Sequence, residues 1–548
     1  MTSQRKNGED MRMKTRDLIG AGAAMFMLAI AAYAAEGPVP QAPITAPERT
    51  HYIATSTVAE VQAFFETLCG QHPGQVVLSQ LGRSAEGRPI PLVILGDPAP
   101  PAPQDNTHPA LLILANIHGG EVEGKEALQM FARDLLARDA RGILKRFTLL
   151  LVPVFNVDGN EKIGPENRPY QQVLNGVGLR TNGQNLDLNR DFVKLETPEV
   201  RALVGLFDRW NPFVVADLHT TNGSYHEEPL TWIWGKHPAG NPAIDAAMHD
   251  EVFPWMKAYV EAHFNMDTLP YGDFDDDLKP TRWVNHPPSL RIGVDYFSTR
   301  CAYALLDENY AYADFPTRVT ASYAFLDALL AYTVTHADAM LANVGACRAS
   351  GQPRLYTEVK TVPYPEMLTI KAYRAEKDEK GEIHGTKERM DVTVPYLGNV
   401  TAKAGPVLTG AYLFPPGLES VKETLLAHGV RIYRVKAPGK ATVQRFLVES
   451  LTYGDRPSQG HAPLKDIKGH WETVQIGVTG WYAVPLDGGQ KMRAVLPSIL
   501  EPESEDGLVR FGAFDAALYP NQWSRQPGPY PVVRAPDTAG FVMELVGE

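Results

Sequence analysis

The spacing of apolar and polar residues predicts strands that alternate with helices as far as residue 348. Short continuous apolar runs predict buried strands, and they lie at 75–81, 89–95, 110–115, 147–155, 213–216 and 302–306. Apolar residues recur at helical spacing over 57–69, 124–137 and 197–209. Because strands that alternate with helices need crossover connections, we predict an α/β fold with a mixed, mostly parallel central sheet flanked by helices.

The pattern changes after residue 348. Short runs with a period near two, separated by Gly, Pro and Asp, predict a β-rich accessory region over 349–548. One helix is expected within it, over 415–428, and the mixed charges of 375–389 predict a solvated hairpin. Because 548 residues are too many for one hydrophobic core, we predict two folded domains, 51–348 and 349–548.

The N-terminus has the features of a signal peptide. A basic segment precedes the apolar stretch 18–31, and Ala32-Tyr33-Ala34 fits a small-x-small cleavage site. The apolar stretch is shorter than the ~20 residues of a membrane span; an uncleaved anchor is the alternative. We predict a signal peptide over 1–34 and a Pro- and Ala-rich linker over 35–50. The protein is expected to be exported, periplasmic or extracellular, with no stable membrane insertion after cleavage.

Composition narrows the range of partners. The net charge of −12 argues against a nucleic-acid partner, because nothing offsets repulsion by the phosphates. Hydrophobic residues at 44% and charged residues at 21% are ordinary for a soluble globular protein. Three cysteines (Cys69, Cys301 and Cys347) allow at most one disulfide, and none lies in a CxxC pattern. The oligomeric state is not predicted.

The clearest candidate chemistry lies at Asn116-Ile117-His118-Gly119-Gly120-Glu121. This segment follows the apolar run 110–115, and its two glycines let the backbone turn sharply at the end of the strand. His118 and Glu121 are then a nitrogen and an oxygen donor on one short loop. A catalytic zinc site needs three protein ligands and one open position, and two His with one Glu is a common set. We predict one zinc ion per chain.

The third zinc ligand is expected at the end of another strand. His219 follows the apolar run 213–216, and Glu308 follows the run 302–306. In open sheets with parallel strands, ligands bind beyond the carboxyl ends of the strands. We therefore expect His118, His219 and Glu308 to line one crevice.

At Asn185-Leu186-Asp187-Leu188-Asn189-Arg190-Asp191-Phe192 the chain resembles the zinc carboxypeptidases, the carboxypeptidase A-like metallopeptidases. The resemblance covers roughly residues 50–345, and it suggests a bacterial exported member with a C-terminal accessory region. It depends on the order of several motifs. These are the turn Gly82 to Arg88, the HxxE of His118 and Glu121, Asn156-Val157-Asp158-Gly159, the Leu-Asp-Leu-Asn-Arg block, and two strands ending in His219 and Glu308. It implies a zinc carboxypeptidase-like catalytic domain over 51–348.

The resemblance implies a role for each matching residue. The zinc ligands would be His118, Glu121 and His219. Asp187 would accept the second ring N–H of His118, which fixes the tautomer of the imidazole. Asn189 and Arg190 would clamp the terminal carboxylate of a substrate, since a planar guanidinium meets a carboxylate with two parallel hydrogen bonds.

Glu308 is the implied general base. Zinc lowers the pKa of its bound water to about 7, and a nearby carboxylate can take the proton as that water attacks a carbonyl. Asp307 is the rival candidate. Neighbouring residues of a strand point to opposite faces, so only one of the two faces the metal, and the family pattern favours Glu308.

For two further roles that the resemblance implies, the sequence offers more than one candidate residue. The family uses an Arg upstream of the Asn-Arg pair to stabilise the oxyanion, and such a cation can contribute ~3–4 kcal/mol. Arg180 is preferred to Arg168 because it lies nearer that pair. The family's mobile Tyr, which closes over bound substrate, lies between the third ligand and the base. Tyr296 is the first choice for it, with Tyr271 and Tyr225 as alternatives.

The resemblance implies zinc-dependent hydrolysis of a peptide bond that releases a C-terminal residue. A first alternative keeps the metal chemistry but cleaves an amide in N-acyl amino acids or cell-wall peptides, because deacylase relatives can carry a similar Asn-Arg pair. A second alternative is a non-catalytic exported binding module; the retention of three ligands and Glu308 argues against it. The expected partner is a peptide or small amide substrate.

Overall fold

The structure is a computed structural model that describes residues 41–221, 223–519, 523 and 526–547. The predicted signal peptide, 1–34, lies outside the described residues, so its cleavage and the export of the protein stay predictions. Residues 41–43 have no helix or strand. The described residues from 44 onward form one compact unit, and the domain boundary predicted near residue 348 lies inside it. Within the described ranges, no helix has the length and apolar character of a membrane span.

Polar caps set the start of several helices. Thr57, Thr197 and Asp314 each accept a backbone N–H from the first turn of the helix that follows. The α-helices of the described residues are α1 (Ala46–Thr50), α2 (Val58–Gln71), α3 (Glu123–Ala137), α4 (Val157–Asn160), α5 (Pro198–Trp210), α6 (Pro242–Ala247), α7 (Phe253–Phe264), α8 (Gly293–Thr299), α9 (Phe315–Ser350), α10 (Glu419–Ala427), α11 (Leu496–Leu500) and α12 (Asp515–Leu518). A π-helical turn, Met248–Val252, joins α6 to α7.

The strands occupy both predicted regions. They are β1 (Val76–Arg83), β2 (Pro89–Leu95), β3 (Ala110–Ala115), β4 (Thr148–Val152), β5 (Val214–Thr221), β6 (Leu230–Trp234), β7 (Thr268–Pro270), β8 (Asp273–Phe274), β9 (Trp283–Val284), β10 (Tyr303–Tyr310), β11 (Arg354–Val362), β12 (Met367–Lys377), β13 (Ile383–Leu397), β14 (Asn399–Val407), β15 (Ala411–Phe414), β16 (Ile432–Ala437), β17 (Lys440–Tyr453), β18 (Leu464–Gly477), β19 (Tyr482–Pro485), β20 (Val533–Ala535) and β21 (Val542–Gly547).

The central sheet has the strand order β1-β2-β4-β3-β5-β10-β6-β7. Its middle strands β4, β3, β5 and β10 run parallel to one another. At one side β2 is antiparallel to both β1 and β4, and at the other β6 is antiparallel to β10. Every residue of β3, β4 and β5 is buried, which explains their continuous apolar runs. The predicted α/β class, with a mixed and mostly parallel central sheet, is confirmed.

Two predicted boundaries need correction. The linker expected over 35–50 contains α1 at its end, because Thr45 and Glu48 form a capping box that the Pro- and Ala-rich composition concealed. His219 and Glu308 do not follow their strands but lie within β5 and β10, directly opposite each other in register. The backbone hydrogen bonds between β5 and β10 continue past the last apolar residue of each strand, so these polar residues are still part of the sheet.

The accessory region is β-rich, as predicted. A seven-stranded sheet has the order β18-β17-β20-β15-β19-β16-β21, and a four-stranded sheet pairs β12 and β13 with β9 and β8 of the preceding region. Strands β12 and β13 form the predicted hairpin around 378–382, and α10 lies within the predicted helix. The main hydrophobic core includes residues of both regions. A disulfide joins Cys301 to Cys347, and Cys69 is free.

Candidate metal centre and substrate cavity

A tight turn after β3 presents the first two donors. Asn116 has a positive φ of 62°, and its side-chain amide donates to the carbonyl oxygens of His118, Gly119 and Glu121. Position 119 must be glycine, because a Cβ there would lie 2.4 Å from the backbone of Gly159. The close approach of two backbone segments and the Asn116 hydrogen bonds therefore fix where the two donors point.

The three predicted zinc ligands lie together in the structure. Nδ1 of His118 is 2.9 Å from Oε1 of Glu121, and Nδ1 of His219 is 2.9 Å from Oε2. All three side chains are buried. Their donor atoms lie within 4.8 Å of one another and could hold a metal ion. Two imidazole nitrogens with one carboxylate suit zinc, so the donor set fits the predicted ion.

Glu121 is held as a carboxylate by its neighbours. Its Oε1 accepts a hydrogen bond of 2.9 Å from Nη2 of Arg168, and its Oε2 accepts one of 3.2 Å from the backbone N–H of Thr220. Burial alone would raise the pKa of Glu121, but His118, Arg168 and His219 hold this pKa well below its ordinary value. A charged carboxylate is the form that binds a metal ion.

A second carboxylate lies behind each imidazole. Nε2 of His118 is 3.1 Å from Oδ1 of Asp187, and Nε2 of His219 is 3.0 Å from Oδ2 of Asp217. The second pair is close without meeting hydrogen-bond geometry. Such partners orient an imidazole and leave its other nitrogen for the metal. Asp187 stands where the resemblance placed it. The sequence reasoning missed Asp217, although a position two residues before His219 on one strand shares its face.

Removing one of these outer carboxylates should weaken metal binding while the three ligands remain. We expect Asp217→Asn and Asp187→Asn each to reduce zinc affinity by about 10–100-fold, because the imidazole loses the partner that orients it. Competition with a chelator of known affinity measures the change. Asp537→Asn, at an exposed position, is the matched control. Unchanged zinc affinity in both variants would show that the two carboxylates do not support the ligands.

Glu308 faces the same cavity as the three donors. It pairs with His219 in the parallel ladder of β5 and β10, and both side chains line one cavity. Asp307 points away from this cavity and accepts hydrogen bonds of 2.8 Å from the backbone N–H of His219 and the hydroxyl of Ser322. Strand alternation thus separates the two rival acids as expected.

The surroundings of Glu308 favour its protonated form. Burial raises the pKa of Glu308 to about 8, and the negative charges of Glu121 and Asp307 add to this rise, whereas His219 opposes it. No hydrogen bond to the Glu308 carboxylate is formed by the described side chains. A metal dication beside Glu121 would lower the pKa of Glu308 again, which brings it toward the range useful for moving a proton near neutral pH.

Asn189 and Arg190 line the same cavity, which has a volume of about 170 Å³. Oδ1 of Asn189 accepts a 2.8 Å hydrogen bond from the backbone N–H of Gly293, so its amide N–H groups are the ones left for a ligand. Among the described residues, no carboxylate lies within 4.0 Å of the Arg190 guanidinium, which hydrogen-bonds the carbonyl of Asn189 at 2.7 Å. An unpaired, half-buried guanidinium suits a carboxylate ligand.

The two candidate arginines occupy different places. Arg180 lines the cavity, and its Nε donates a 2.9 Å hydrogen bond to Oδ2 of Asp187. Arg168 lies behind the ligands, where it donates to Glu121, and it does not line the cavity. Of the two, only Arg180 is placed where it could reach a bound substrate.

The first choice of mobile tyrosine needs correction. Tyr296 is fully buried, and its hydroxyl lies 2.8 Å from Nδ1 of His428 in the accessory region, away from the cavity. Tyr271, kept as an alternative, lines the cavity instead. Tyr225 does not line the cavity and donates to the carbonyl of Ile383. The motifs could not identify which tyrosine faces the cavity, because the direction of a side chain in a loop between two strands is not set by a local sequence pattern.

Residues of the accessory region reach the site. Val400 lines the cavity, and Oε1 of Gln459 accepts a 2.9 Å hydrogen bond from the backbone N–H of Asp187. Asp506 accepts hydrogen bonds from the hydroxyl of Ser289 at 2.6 Å and the backbone N–H of Leu290 at 3.0 Å, in the segment that leads to α8. The sequence reasoning gave these residues no role.

Parts of the chain are similar to known carboxypeptidases. Residues 61–226 match the family model described as zinc carboxypeptidase. Carboxypeptidase E of Caenorhabditis elegans is 26% identical over 255 residues, which is 40% of this chain and 52% of that protein. Human carboxypeptidase D is 30% identical over 253 residues, 38% of this chain and 18% of that protein. A crystal structure of a metallo-carboxypeptidase from Burkholderia cenocepacia matches with a TM-score of 0.39 and 21% identity, over 52% of this chain and 71% of that chain.

The matched segment 61–226 is similar to the zinc carboxypeptidases and makes up less than half of the chain. It contains His118, Glu121, Asp187, Arg190 and His219. The chain spans about half the length of the worm relative and less than a fifth of the human one.

Proposed function

We propose that this protein is a zinc-dependent carboxypeptidase that releases the C-terminal residue of a peptide. One observation carries the proposal: a single cavity is lined by the two imidazoles and the carboxylate of the donor set, by Glu308, and by the unpaired guanidinium of Arg190. A group that hydrolyses amides and a group that binds a terminal carboxylate therefore face the same small space. The match of residues 61–226 to the zinc carboxypeptidase family model supports the same chemistry.

Separate residues would bind the metal ion and the substrate. His118, Glu121 and His219 would hold the zinc ion. A bound zinc ion supplies Lewis acidity, which polarises a carbonyl and makes a water molecule more acidic. Arg190 and Asn189 hold the terminal carboxylate of the substrate and so set which amide lies near the donors.

Glu308 and Arg180 act on the reacting amide. Glu308 takes a proton from the attacking water at its carboxylate and passes it to the leaving amine. Arg180 donates N–H groups toward the oxygen on which negative charge develops. Tyr271, in the cavity wall, is the tyrosine placed to contact the substrate.

Export of the protein is part of the proposal. The apolar stretch and cleavage site of residues 1–34 support it. The Cys301–Cys347 disulfide supports it independently, because disulfides persist in oxidising compartments such as the periplasm and the extracellular space.

Amidation of the substrate tests the carboxylate clamp. For two peptides that differ only in a free or an amidated C-terminus, we expect the zinc-loaded protein to cleave the free form about 10²-fold better or more in kcat/KM, corresponding to about 3 kcal/mol or more. Arg190→Ala should lower kcat/KM for the free peptide by a similar factor and leave the amidated peptide nearly unchanged. Mass spectrometry of the products identifies the residue released.

Arg138→Ala, at an exposed position, is the control and should keep the full preference. If the preference for the free peptide survives Arg190→Ala, another group binds the carboxylate. Release of acids from N-acyl amino acids without hydrolysis of any peptide would replace the carboxypeptidase with an amidohydrolase.

A further inference from the structure

A buried lysine lies in the wall of the substrate cavity. Lys236 follows β6, is only 8% exposed and lines the cavity together with Arg190 and Asn189. Its Nζ lies 3.9 Å from the centre of the Trp234 ring, and Trp234 lines the cavity as well. Nζ donates to the carbonyl of Gly398 at 2.7 Å and to the Tyr364 hydroxyl at 3.1 Å. Among the described residues, the third N–H of this ammonium has no partner.

No carboxylate forms an ion pair with this ammonium: among the described residues, none lies within 4.0 Å of Nζ. Asp245, the carboxylate whose charge does most to raise the pKa of Lys236, accepts a 2.7 Å hydrogen bond from the indole N–H of Trp234. Asp295, the nearby acid that also lines the cavity, uses its two oxygens to accept the backbone N–H groups of Lys236 at 3.0 Å and Ser289 at 2.9 Å. Burial lowers the pKa of Lys236 to about 8 and raises that of Asp295 to about 7. At neutral pH the lysine is therefore mostly charged, whereas Asp295 is only partly so.

An unpaired buried charge is costly, and a ligand that brings the opposite charge recovers that cost. The cavity wall also contains five apolar residues, Ile233, Ile292, Val294, Leu306 and Val400. A cavity of about 170 Å³ accepts a group the size of one side chain; an engineered cavity of about 150 Å³ holds benzene. Lys236 also borders a second cavity, of about 280 Å³.

We propose that Lys236 determines specificity, and that the preferred C-terminal residue of the substrate is acidic, glutamate or aspartate. This inference rests on the proposed carboxypeptidase function. The terminal carboxylate of such a residue binds Arg190, and its side-chain carboxylate accepts a hydrogen bond from the ammonium of Lys236. Two cations on the wall thus meet the two carboxylates of one residue. The accessory region takes part in the selection, because Gly398 and Tyr364 hold the ammonium in place.

Peptides that differ only in a C-terminal Glu, Gln, Leu or Lys test this proposal. Glu and Gln have the same shape, so their ratio of kcat/KM reports charge recognition alone. For the zinc-loaded protein we expect Glu to exceed Gln by about 10–100-fold, as a hydrogen bond between charged groups implies. Lys236→Met keeps an unbranched side chain without the charge, and should bring the ratio to about one while turnover of the Leu peptide stays within a few-fold. Lys236→Arg should keep most of the preference.

Lys279→Met, at an exposed position, is the matched control and should keep the wild-type ratio. Melting temperature and zinc content show whether each variant is folded and loaded. A wild-type ratio near one, or a Lys236→Met variant that slows all four peptides equally, would overturn the role of Lys236. Should Lys236→Met fail to fold, the wild-type ratio and Lys236→Arg decide. If the protein hydrolyses the Leu peptide but shows no preference for an acidic C-terminal residue, only this inference is wrong. If it releases no C-terminal residue from any of the peptides, the proposed function is wrong.

Discussion

Glu308→Gln should lose nearly all turnover and keep its zinc. Glutamine has the same shape as glutamate, so packing in β10 is preserved. Its amide, however, cannot take a proton from water near neutral pH. General acid–base catalysis by a positioned side chain contributes about 10²–10⁴-fold, and we expect kcat to fall by a factor in this range. Among the described side chains, the one that hydrogen-bonds Glu308 is Thr231, whose hydroxyl donates to the backbone carbonyl at 3.1 Å, and the substitution keeps that carbonyl. Steady-state kinetics with metal analysis of the same sample measures both quantities.

Glu66→Gln, an exposed glutamate on α2, is the control and should have wild-type kinetics. Unchanged turnover in Glu308→Gln would remove Glu308 from the mechanism. A loss of zinc together with activity would instead assign Glu308 to the support of the metal site. The pH dependence of kcat/KM is a second test. In the wild-type protein one limb of the profile reports the ionisation of the essential base, and this limb should be absent from the profile of the variant's residual activity.

His219→Ala should lose both stoichiometric zinc and hydrolysis. The variant keeps His118 and Glu121, but two protein ligands do not complete the set of three that a catalytic zinc site needs. We expect kcat/KM to fall by about 10³-fold or more, since the Lewis acid contributes several kcal/mol. Treatment of the wild-type protein with a chelator should have the same effect, and added zinc should restore activity. Zinc per chain, measured on purified protein, separates loss of metal from loss of fold.

The chain offers a matched control for this experiment. Among the described residues, a second group of acidic and imidazole side chains could also hold a metal ion: the exposed Asp378, Glu382 and His384 at the tip of the β12–β13 hairpin. His384→Ala should leave both zinc content and activity unchanged. Retention of one zinc per chain in His219→Ala but not in His384→Ala would show that the metal binds at the hairpin, and the proposed centre would be wrong.

Local patterns were enough to predict much of the fold and part of the site. The strands of the central sheet are buried on both faces, so they appear in the sequence as continuous apolar runs, and caps such as Thr57 and Thr197 mark helix starts. The HxxE of His118 and Glu121 was visible because both ligands lie on one turn. Asp187, Asn189 and Arg190 were visible for the same reason, as one short block supplies all three.

Other parts depend on contacts between distant segments. The sequence preferred Arg180 to Arg168 only because Arg180 lies nearer the Asn-Arg pair, whereas the choice depends on which of them faces the cavity and which lies behind Glu121. It favoured Tyr296, which packs against His428 of a region more than a hundred residues away. It also gave Gln459, Asp506 and Val400 no role, since nothing in their own neighbourhoods indicates the site they reach.

The sequence by itself determined the α/β class, the turn that carries two donors, and the strands that carry His219 and Glu308. These features depend on the spacing of apolar residues and on turn residues, both of which involve only residues close together in the chain. Only the tertiary structure decided that Asp217 stands behind His219, that Tyr271 and Arg180 face the cavity, and that Lys236 lines the same cavity as Arg190. Those arrangements depend on how separate elements dock, and docking is set by packing and by the pairing of buried charges across long distances in the chain.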